Sequence, residues 1–320
     1  MGLVFSLTIS ACTSNNAADS PATPANNSGS NKVTVQIGYQ KSGTLTFVKA
    51  QGSLEKRLAS TGNSVRWIEF PSGPPLLEAM NAGSVDFGHT GDAPPIFAQA
   101  AGIPMLYVAA TPPSPEGSAI LVRNNSPLQR VADLKGKKVA FAKGSSAHNL
   151  VVQALTAAGL QYSDIQPKLL APADARAAFE QGSVDAWAIW DPFFAAAQRA
   201  TGARVLVDGK NLVSGREFYL ASRAFTSAHP ELVELVVEEI NQAGNWAKEN
   251  SHRAAEFLAP QLGIDLPSME QAERRRKRYG VKPVTEAVVA EQQKVADTFL
   301  RLQLIPKPIN VQEVIWTPKA

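Results

Sequence analysis

A short run of residues occurs twice in this 320-residue chain, and the repeat constrains its fold more than any other feature. Residues 82–86 (Ala-Gly-Ser-Val-Asp) precede Asp92, and residues 181–185 (Gln-Gly-Ser-Val-Asp) precede Asp191. The two copies are 99 positions apart, both at the glycine and at the later aspartate. A constant spacing between like segments indicates a duplicated structural unit. We therefore predict two lobes of one architecture that face each other.

Short β-branched segments alternate with longer helical patterns in both copies, which is typical of parallel strands joined by helices. The predicted strands are 33–37, 65–70 and 85–87 in the first copy and 138–142, 168–171 and 184–189 in the second. Helical patterns lie between the strands, and residues 225–301 are mainly helical. The predicted fold class is α/β, with a mostly parallel sheet flanked by helices in each lobe.

Two apolar runs separate the copies and predict a hinge with two crossings. Residues 119–122 would carry the chain to the second lobe and residues 218–221 would carry it back. We assign 32–118 and 222–320 to lobe I, and 119–221, with the hinge strands, to lobe II. The length agrees with two lobes, since a domain has about 150 residues.

The apolar segment 3–11 ends at Cys12, which is the only cysteine of the chain. This pattern is typical of a signal peptide that ends in a lipobox, although no Lys or Arg precedes the apolar run as it normally does. We predict that residues 1–12 are the signal peptide and lipobox, that Cys12 is lipidated, and that 13–31 form a flexible tether. The alternative is a buried free thiol. The expected location is periplasmic or extracytoplasmic, at a membrane.

The charge balance and the histidine spacing exclude several function classes. With 31 Lys and Arg against 28 Asp and Glu, the chain lacks the dense positive charge of a nucleic-acid-binding protein. The four histidines show no metal-ligand spacing, and the chain has no phosphate-binding loop or nucleophile elbow, so we expect no metal and no cofactor. The basic run 274–278 is typical of a solvated helix face, with an acidic partner or anionic lipid as the alternative.

Four loops follow predicted strands at the sheet edge where ligands bind in open parallel sheets. They are residues 38–44, 89–92, 143–149 and 190–192. The loops 38–44 and 143–149 are equivalent in the repeat, and each places hydroxyl groups and a lysine at the start of a helix. Helix starts attract anions, so the pair predicts an anionic ligand. The alternative is that these hydroxyl groups only cap their helices.

Asp92 and Asp191 also allow two interpretations. They are candidates for a paired acid and base, but each is followed closely by proline at a helix start, which is typical of a capping residue. A bare carboxylate would repel an anion. If the two aspartates line the cleft, they would orient donors or accept hydrogen bonds from a ligand amine or hydroxyl.

Long segments around these loops resemble those of one protein family. They are residues 37–41, 85–102, 132–136, 143–150, 172–179 and 185–192. In these segments the chain resembles the periplasmic aliphatic sulfonate-binding proteins of ABC importers, and the resemblance covers most of residues 33–318. It implies a type II periplasmic-binding-protein fold whose two lobes close on an alkanesulfonate and deliver it to an ABC permease for sulfur uptake. Taurine- and nitrate-binding proteins share the fold and part of the loop pattern.

The resemblance also implies a set of ligand-binding residues, to which we add Lys41. They are Gln40, Thr90, Gly91, Asp92, Ser145, Ser146, His148, Trp190 and Asp191. His89 stands where relatives are expected to carry a small or polar residue, and residues 42–47 depart from the family pattern. A sulfonate stays ionised and has three acceptor oxygens, so it requires N–H and O–H donors, while Trp190 would cover the alkyl part.

Three other functions remain open at this stage. The first is a binding protein for taurine, nitrate or another small anion. The second is an enzyme on the same fold that uses Asp92, Asp191 and His148, since a shared fold does not determine function. The third is an anion sensor for a membrane kinase. The leading prediction is a monomeric binding protein without enzymatic activity.

Overall fold

The computed structural model describes residues 32–276 and 279–318. The predictions of a signal peptide, a tether and a lipidated Cys12 lie outside the described residues. No helix in these two ranges is long and apolar enough to cross a membrane.

Ten strands are present in the described part of the chain. They are β1 (Thr34–Tyr39), β2 (Ser64–Glu69), β3 (Phe87–Thr90), β4 (Met105–Ala110), β5 (Ser118–Val122), β6 (Lys138–Phe141), β7 (Gln166–Leu169), β8 (Ala186–Trp190), β9 (Arg204–Asp208) and β10 (Phe218–Ser222). They form two five-stranded sheets, with orders β2-β1-β3-β10-β4 and β7-β6-β8-β5-β9. We call the first sheet with its helices lobe I and the second sheet with its helices lobe II.

The helices cover the faces of the two sheets. They are α1 (Gly43–Gln51), α2 (Ser53–Ser60), α3 (Gly73–Asn81), α4 (Ala93–Ala100), α5 (Ser146–Ala157), α6 (Pro172–Glu180), α7 (Phe193–Thr201), α8 (Arg223–Ala228), α9 (Pro230–Glu249), α10 (Ser251–Leu262), α11 (Leu266–Arg275) and α12 (Glu286–Arg301). The helix predicted around 45–58 is divided into α1 and α2 at Gly52, which has a φ of +64°. A left-handed residue of this kind ends a helix and is best accommodated by glycine.

Both sheets have the same topology, which confirms the predicted pair of mostly parallel α/β lobes. In each sheet the fourth strand in the order is antiparallel to its neighbours, β10 in lobe I and β5 in lobe II. The chain passes between the sheets at 111–117 and at 209–217. The runs predicted as crossings are therefore sheet strands that follow each crossing, and residues 218–221 belong to the sheet of lobe I rather than to lobe II.

The structure gives a physical reason for the repeated run of residues. Gly83 and Gly182 both have a positive φ, at 72° and 76°, so each ends its helix in a conformation that favours glycine. Asp86 Oδ2 accepts a hydrogen bond of 2.8 Å from the backbone N–H of Gln36, and Asp185 Oδ2 accepts one of 2.8 Å from that of Lys138. Each aspartate thus holds the first strand of its lobe, β1 in lobe I and β6 in lobe II, beside the central strand that follows the aspartate, β3 or β8.

The helical region from α8 to α12 is confirmed and belongs mainly to lobe I. The apolar faces of α9 and α10 bury Val233, Val236 and Leu258 in one core with Val35 and Ile37 of β1. Helix α12 buries Phe299 in a second core with residues of α4 and β4. Burial of each such side chain contributes about 1.5–3 kcal/mol, so these helices are part of the lobe I fold.

Candidate functional site

A cavity of about 120 Å³ lies between the two lobes. Its walls come from loops of lobe I, from the first residues of lobe II helices and from the segments that cross between the sheets. Lobe I contributes Gln40 and Gly91 among others, and lobe II contributes Ser146 and Trp190. A ligand in this cavity would contact both lobes and would be enclosed when they meet.

Several helices begin at the cavity wall. Ser42 precedes α1, Gly73 begins α3, Pro94 lies in the first turn of α4 and Ser146 begins α5, and all four residues line the cavity. The first N–H groups of a helix have no partner within the helix and carry a partial positive charge, which favours an anion. The arrangement agrees with the anionic ligand predicted from the two equivalent loops.

The capping alternative applies to Ser145 but not to Ser42. Ser145 Oγ accepts a hydrogen bond of 3.4 Å from the His148 N–H and donates one of 2.7 Å to the Ala142 carbonyl. Its side chain is therefore occupied by its own helix. The Ser42 side chain makes no capping hydrogen bond to α1. The Ser42 side chain thus does not occupy the first N–H groups of α1.

Six of the predicted ligand-binding residues lie together on the cavity wall. They are Gln40, Gly91, Ser145, Ser146, Trp190 and Asp191. The Gln40 side chain is buried, and its Nε2 donates a hydrogen bond of 2.9 Å to the His89 carbonyl. This bond orients the Gln40 amide between β1 and β3.

The other four predicted residues are placed differently. Lys41 pairs with Glu69, with Nζ 3.7 Å from Oε1, and the buried Thr90 donates a hydrogen bond of 3.0 Å to the Gly91 carbonyl. Asp92 and His148 are buried within the lobes. Within the described ranges the cavity wall contains none of these four residues, so a direct ligand contact for them has no support in the geometry.

His148 is a core residue of lobe II that reaches the lobe interface. Its ring stacks on Phe141 at 4.9 Å and on Phe97 of α4 at 6.0 Å between centroids. Its Nδ1 accepts a hydrogen bond of 3.2 Å from the Gly144 N–H. Burial lowers the pKa of His148 to about 4, and Lys143 adds to the effect. The imidazole is therefore neutral at physiological pH and belongs to an aromatic cluster.

Asp92 caps α4 and also contacts lobe II. Its Oδ1 accepts a hydrogen bond of 2.8 Å from the Ala93 N–H, and its Oδ2 accepts one of 2.7 Å from Nδ2 of Asn149 in α5. Burial raises the pKa of Asp92 to about 6, against the hydrogen bonds from Asn149 and Ala93, which favour the charged form.

Asp191 has the reciprocal arrangement, because it lies in lobe II and is paired with lobe I. Nη1 of Arg275 in α11 lies 2.8 Å from its Oδ1 and 3.1 Å from its Oδ2, and the Ala195 N–H donates to Oδ1 at 3.1 Å. Burial raises the pKa of Asp191 to about 6, while Arg275 opposes this shift. The capping interpretation therefore holds for Asp92, whereas Pro192 occupies the N-cap position of α7 and Asp191, one residue earlier, accepts from the first turn. Both carboxylates are paired rather than free for acid–base chemistry.

Sequence reasoning missed the charged residues that close the cavity. Arg276 lines it, with Nε 3.4 Å from Glu273 and Nη1 4.0 Å from Glu217. Burial opposes the charge of Arg276, but Glu273 and Glu217 outweigh this effect and raise its pKa. The prediction of a solvated face for the basic run is thus wrong for Arg275 and Arg276, whose side chains are 17% and 21% exposed.

His89 is a buried member of the cavity wall. Its side chain is 1% exposed, and within the described structure neither ring nitrogen has a hydrogen-bond partner. Burial lowers the pKa of His89, whereas the nearby Glu217 opposes the shift. The neutral ring has both a donor and an acceptor nitrogen without a partner at this end of the cavity.

The comparisons with known proteins agree with this geometry. Residues 28–259 match the model of the NMT1-like family. Over 285 residues the chain is 46% identical to a protein of Escherichia coli (strain K12) named as an aliphatic sulfonates-binding protein, with 89% of each chain covered. The chain therefore belongs to the NMT1-like family, among the aliphatic sulfonate-binding proteins.

Two further relatives extend the comparison. A Bacillus subtilis (strain 168) protein with the same name is 35% identical and matches 88% of this chain and 85% of its own. The alkanesulfonate-binding protein SsuA from Xanthomonas axonopodis pv. citri, solved with bound MOPS, has a TM-score of 0.85 and 43% identity, and covers 88% of this chain and 98% of its own. The family member described here therefore has both the sequence and the fold of these binding proteins.

Proposed function

We propose that this protein captures aliphatic sulfonates between its two lobes and delivers them to an ABC transporter for sulfur uptake. The observation that carries the proposal is the cavity between the lobes, lined by helix starts, in a chain with a TM-score of 0.85 to an alkanesulfonate-binding protein. The protein acts as a binding protein rather than an enzyme, as its close relatives do by name.

The chemistry of the cavity suits a sulfonate. A sulfonate stays ionised and its three oxygens require donors from several directions. The N–H groups at the starts of α1 and α5, the Gln40 amide and the Ser146 hydroxyl, which also contacts Asp92, supply them. Arg276 adds a positive charge at the wall, and Trp190 offers an apolar face for the alkyl part. Pockets of this type combine apolar surface with a few well-placed polar groups.

The two-lobe architecture suits capture by closure. Both lobes contribute to the cavity wall, so a bound sulfonate would bridge them and stabilise the closed arrangement. A permease that recognises the closed arrangement would then accept loaded protein in preference to empty protein. The functional unit in this proposal is a monomer that works outside the cytoplasm.

Isothermal titration calorimetry with a panel of ligands tests the proposal. The panel contains alkanesulfonates of increasing chain length, MOPS, taurine, nitrate and bicarbonate. We expect heat of binding with at least one alkanesulfonate and weaker binding of the inorganic anions. Tight binding of nitrate or bicarbonate without binding of any sulfonate would contradict the ligand assignment. Chemical change of a bound sulfonate, followed by mass spectrometry, would contradict the binding role.

The membrane anchor is a separate part of the proposal. It rests on the apolar segment that ends at Cys12, outside the described residues, and on the polar residues 13–31 that follow. We expect a Cys12→Ser variant expressed in cells to appear in the soluble extracytoplasmic fraction and the unchanged protein in the membrane fraction. Membrane association of both proteins would contradict the anchor.

A further inference from the structure

Arg275 contacts lobe II although it belongs to a helix of lobe I. Its Nη1 lies 2.8 Å and 3.1 Å from the two carboxylate oxygens of Asp191, and its Nη2 donates to the side chain of Gln198. Its guanidinium carbon lies 3.6 Å from the centroid of the Phe194 ring, a cation–π contact. Asp191, Phe194 and Gln198 together form a receptor for this one side chain.

The contact joins two separately folded elements. Helix α11 is capped by Asp265 and buries Met269 and Ala272 in the lobe I core, whereas the receptor residues follow β8 in lobe II. Ala195 of α7 reaches the same core, so the two helices pack together, and the Arg275 contact with Asp191 is added at the edge of this packing. The contact forms only when the lobes are as close together as they are here.

The exposure of neighbouring residues separates Arg275 from an ordinary surface arginine. Its side chain is 17% exposed and that of Asp191 is 10% exposed, while Arg274, one position earlier on the same helix, is 68% exposed. Ion pairs at exposed positions contribute little, but a buried pair depends strongly on both partners. Arg274 thus provides a matched control on the same helix.

Asp191 connects this contact to the ligand. Asp191 lines the cavity, whereas Arg275 does not. An unpaired carboxylate at the wall would repel a bound anion, and the repulsion would be strong because the Asp191 side chain is only 10% exposed. Arg275 is the group that pairs with this carboxylate, from behind the wall.

We propose that Arg275 is a positioning residue for sulfonate capture. It holds the lobes closed through its contacts with Asp191, Phe194 and Gln198. It also compensates the negative charge of Asp191 beside the bound anion. The inference rests on the function proposed above. Because the Arg275 contact forms after the ligand has entered, its loss changes the dissociation rate of the ligand more than the association rate.

Stopped-flow measurements of Trp fluorescence test this inference, with a sulfonate that the wild-type protein binds in the calorimetric panel. We expect Arg275→Gln to release the ligand at least about tenfold faster, with an association rate within about twofold of wild type. Arg274→Gln is expected to match wild type in both rates. Thermal unfolding without ligand is expected to change little in Arg274→Gln, whereas any loss in Arg275→Gln comes from the unpaired Asp191 carboxylate.

A double variant separates the two roles of Arg275. In Arg275→Gln with Asp191→Asn, no unpaired buried charge remains, so the protein folds even if the single variant does not. We expect it to bind the sulfonate more tightly than Arg275→Gln, because the repulsion is removed, and to release it faster than wild type, because the ion pair is absent. Release at the wild-type rate by both variants would overturn the inference while leaving the proposed function intact. Absence of sulfonate binding by the wild-type protein would overturn both.

Discussion

Asn149 of lobe II donates a hydrogen bond of 2.7 Å from its Nδ2 to Oδ2 of Asp92 in lobe I. The repeat gives this bond a counterpart, because Asp191, 99 positions after Asp92, accepts from Arg275 of lobe I. The same position of the duplicated unit thus supplies a buried carboxylate that contacts the opposite lobe in each direction. Both contacts join lobe I to lobe II, so opening the lobes breaks both.

The contact between Asp92 and Asn149 can be tested by removing its donor. Asn149→Ala removes one of the lobe II donors to the buried Asp92 carboxylate, and a lost buried hydrogen bond of this kind costs about 1–3 kcal/mol. We expect sulfonate affinity to fall about 5- to 150-fold, measured by calorimetry. Gln153→Ala is the control, since Gln153 donates to Asn149 Oδ1 at 3.2 Å within the same helix. Wild-type affinity in Asn149→Ala would show that closure does not depend on the bond to Asp92.

The raised pKa of Asp92 links folding stability to pH. This carboxyl has a pKa of about 6 in the folded protein and about 3.9 in an unfolded chain, so the folded protein binds its proton more readily. Ionisation of Asp92 therefore costs folding free energy above about pH 6, and this cost disappears as the pH falls toward about 4. At its largest, the cost is about 3 kcal/mol.

A comparison with Asp92→Asn measures this effect, since asparagine keeps the capping function. We expect the free energy of unfolding of wild type, relative to the variant, to rise between about pH 7.5 and about pH 5 in urea titrations. His148 acts in the opposite direction, because its lowered pKa of about 4 makes stability fall on acidification. This contribution is common to both proteins and cancels in the comparison. A pH-independent difference would contradict the raised pKa.

The sequence was sufficient to predict features that repeat locally. Two like lobes were predicted from the alternation of strands and helices and from the spacing of 99 residues. The prediction succeeds because the Gly-Ser-Val-Asp run forms the same turn and makes the same strand contact in each lobe. Loop position predicted Gln40 and Ser146 at the cavity but also Lys41, whose side chain turns instead to Glu69. The place of a residue in a loop does not determine the direction of its side chain.

The sequence could not predict features that depend on how the two lobes pack against each other. Arg274 and Arg275 are neighbours in one basic run, and no local signal distinguishes the exposed residue from the one that docks on Asp191. The distinction arises from the packing of α11 against α7, which are separated by more than sixty residues in the chain. The position of Arg276 at the cavity has the same origin.

Ser145 and Ser146 are adjacent residues with separable roles. Ser145 caps α5 through the His148 N–H, so Ser145→Ala is expected to lower the free energy of unfolding by about 1 kcal/mol and to change affinity little. Ser146 also lines the cavity but is not the cap of α5, so Ser146→Ala is expected to lower sulfonate affinity about 2- to 10-fold with a smaller loss of stability. Urea unfolding and calorimetry on both variants measure the two effects. The reverse assignment of effects would show that Ser145 is the ligand contact.

Gly91 and Ser146 meet across the cleft and set how closely the lobes approach. A Cβ on Gly91 would lie 1.8 Å from Ser146 Oγ and 3.0 Å from Ser146 Cβ, a clash that exists only between lobes. Gly91→Ala is therefore expected to keep the thermal stability of the unliganded protein. It should bind sulfonates about 5- to 150-fold more weakly, because the added methyl group clashes with Ser146 when the lobes close. Adding Ser146→Gly removes the opposing side chain, and it should restore part of the affinity although it also removes a hydroxyl from the wall. Wild-type affinity in Gly91→Ala alone would mean that the ligand is held with the lobes farther apart than they are in this structure.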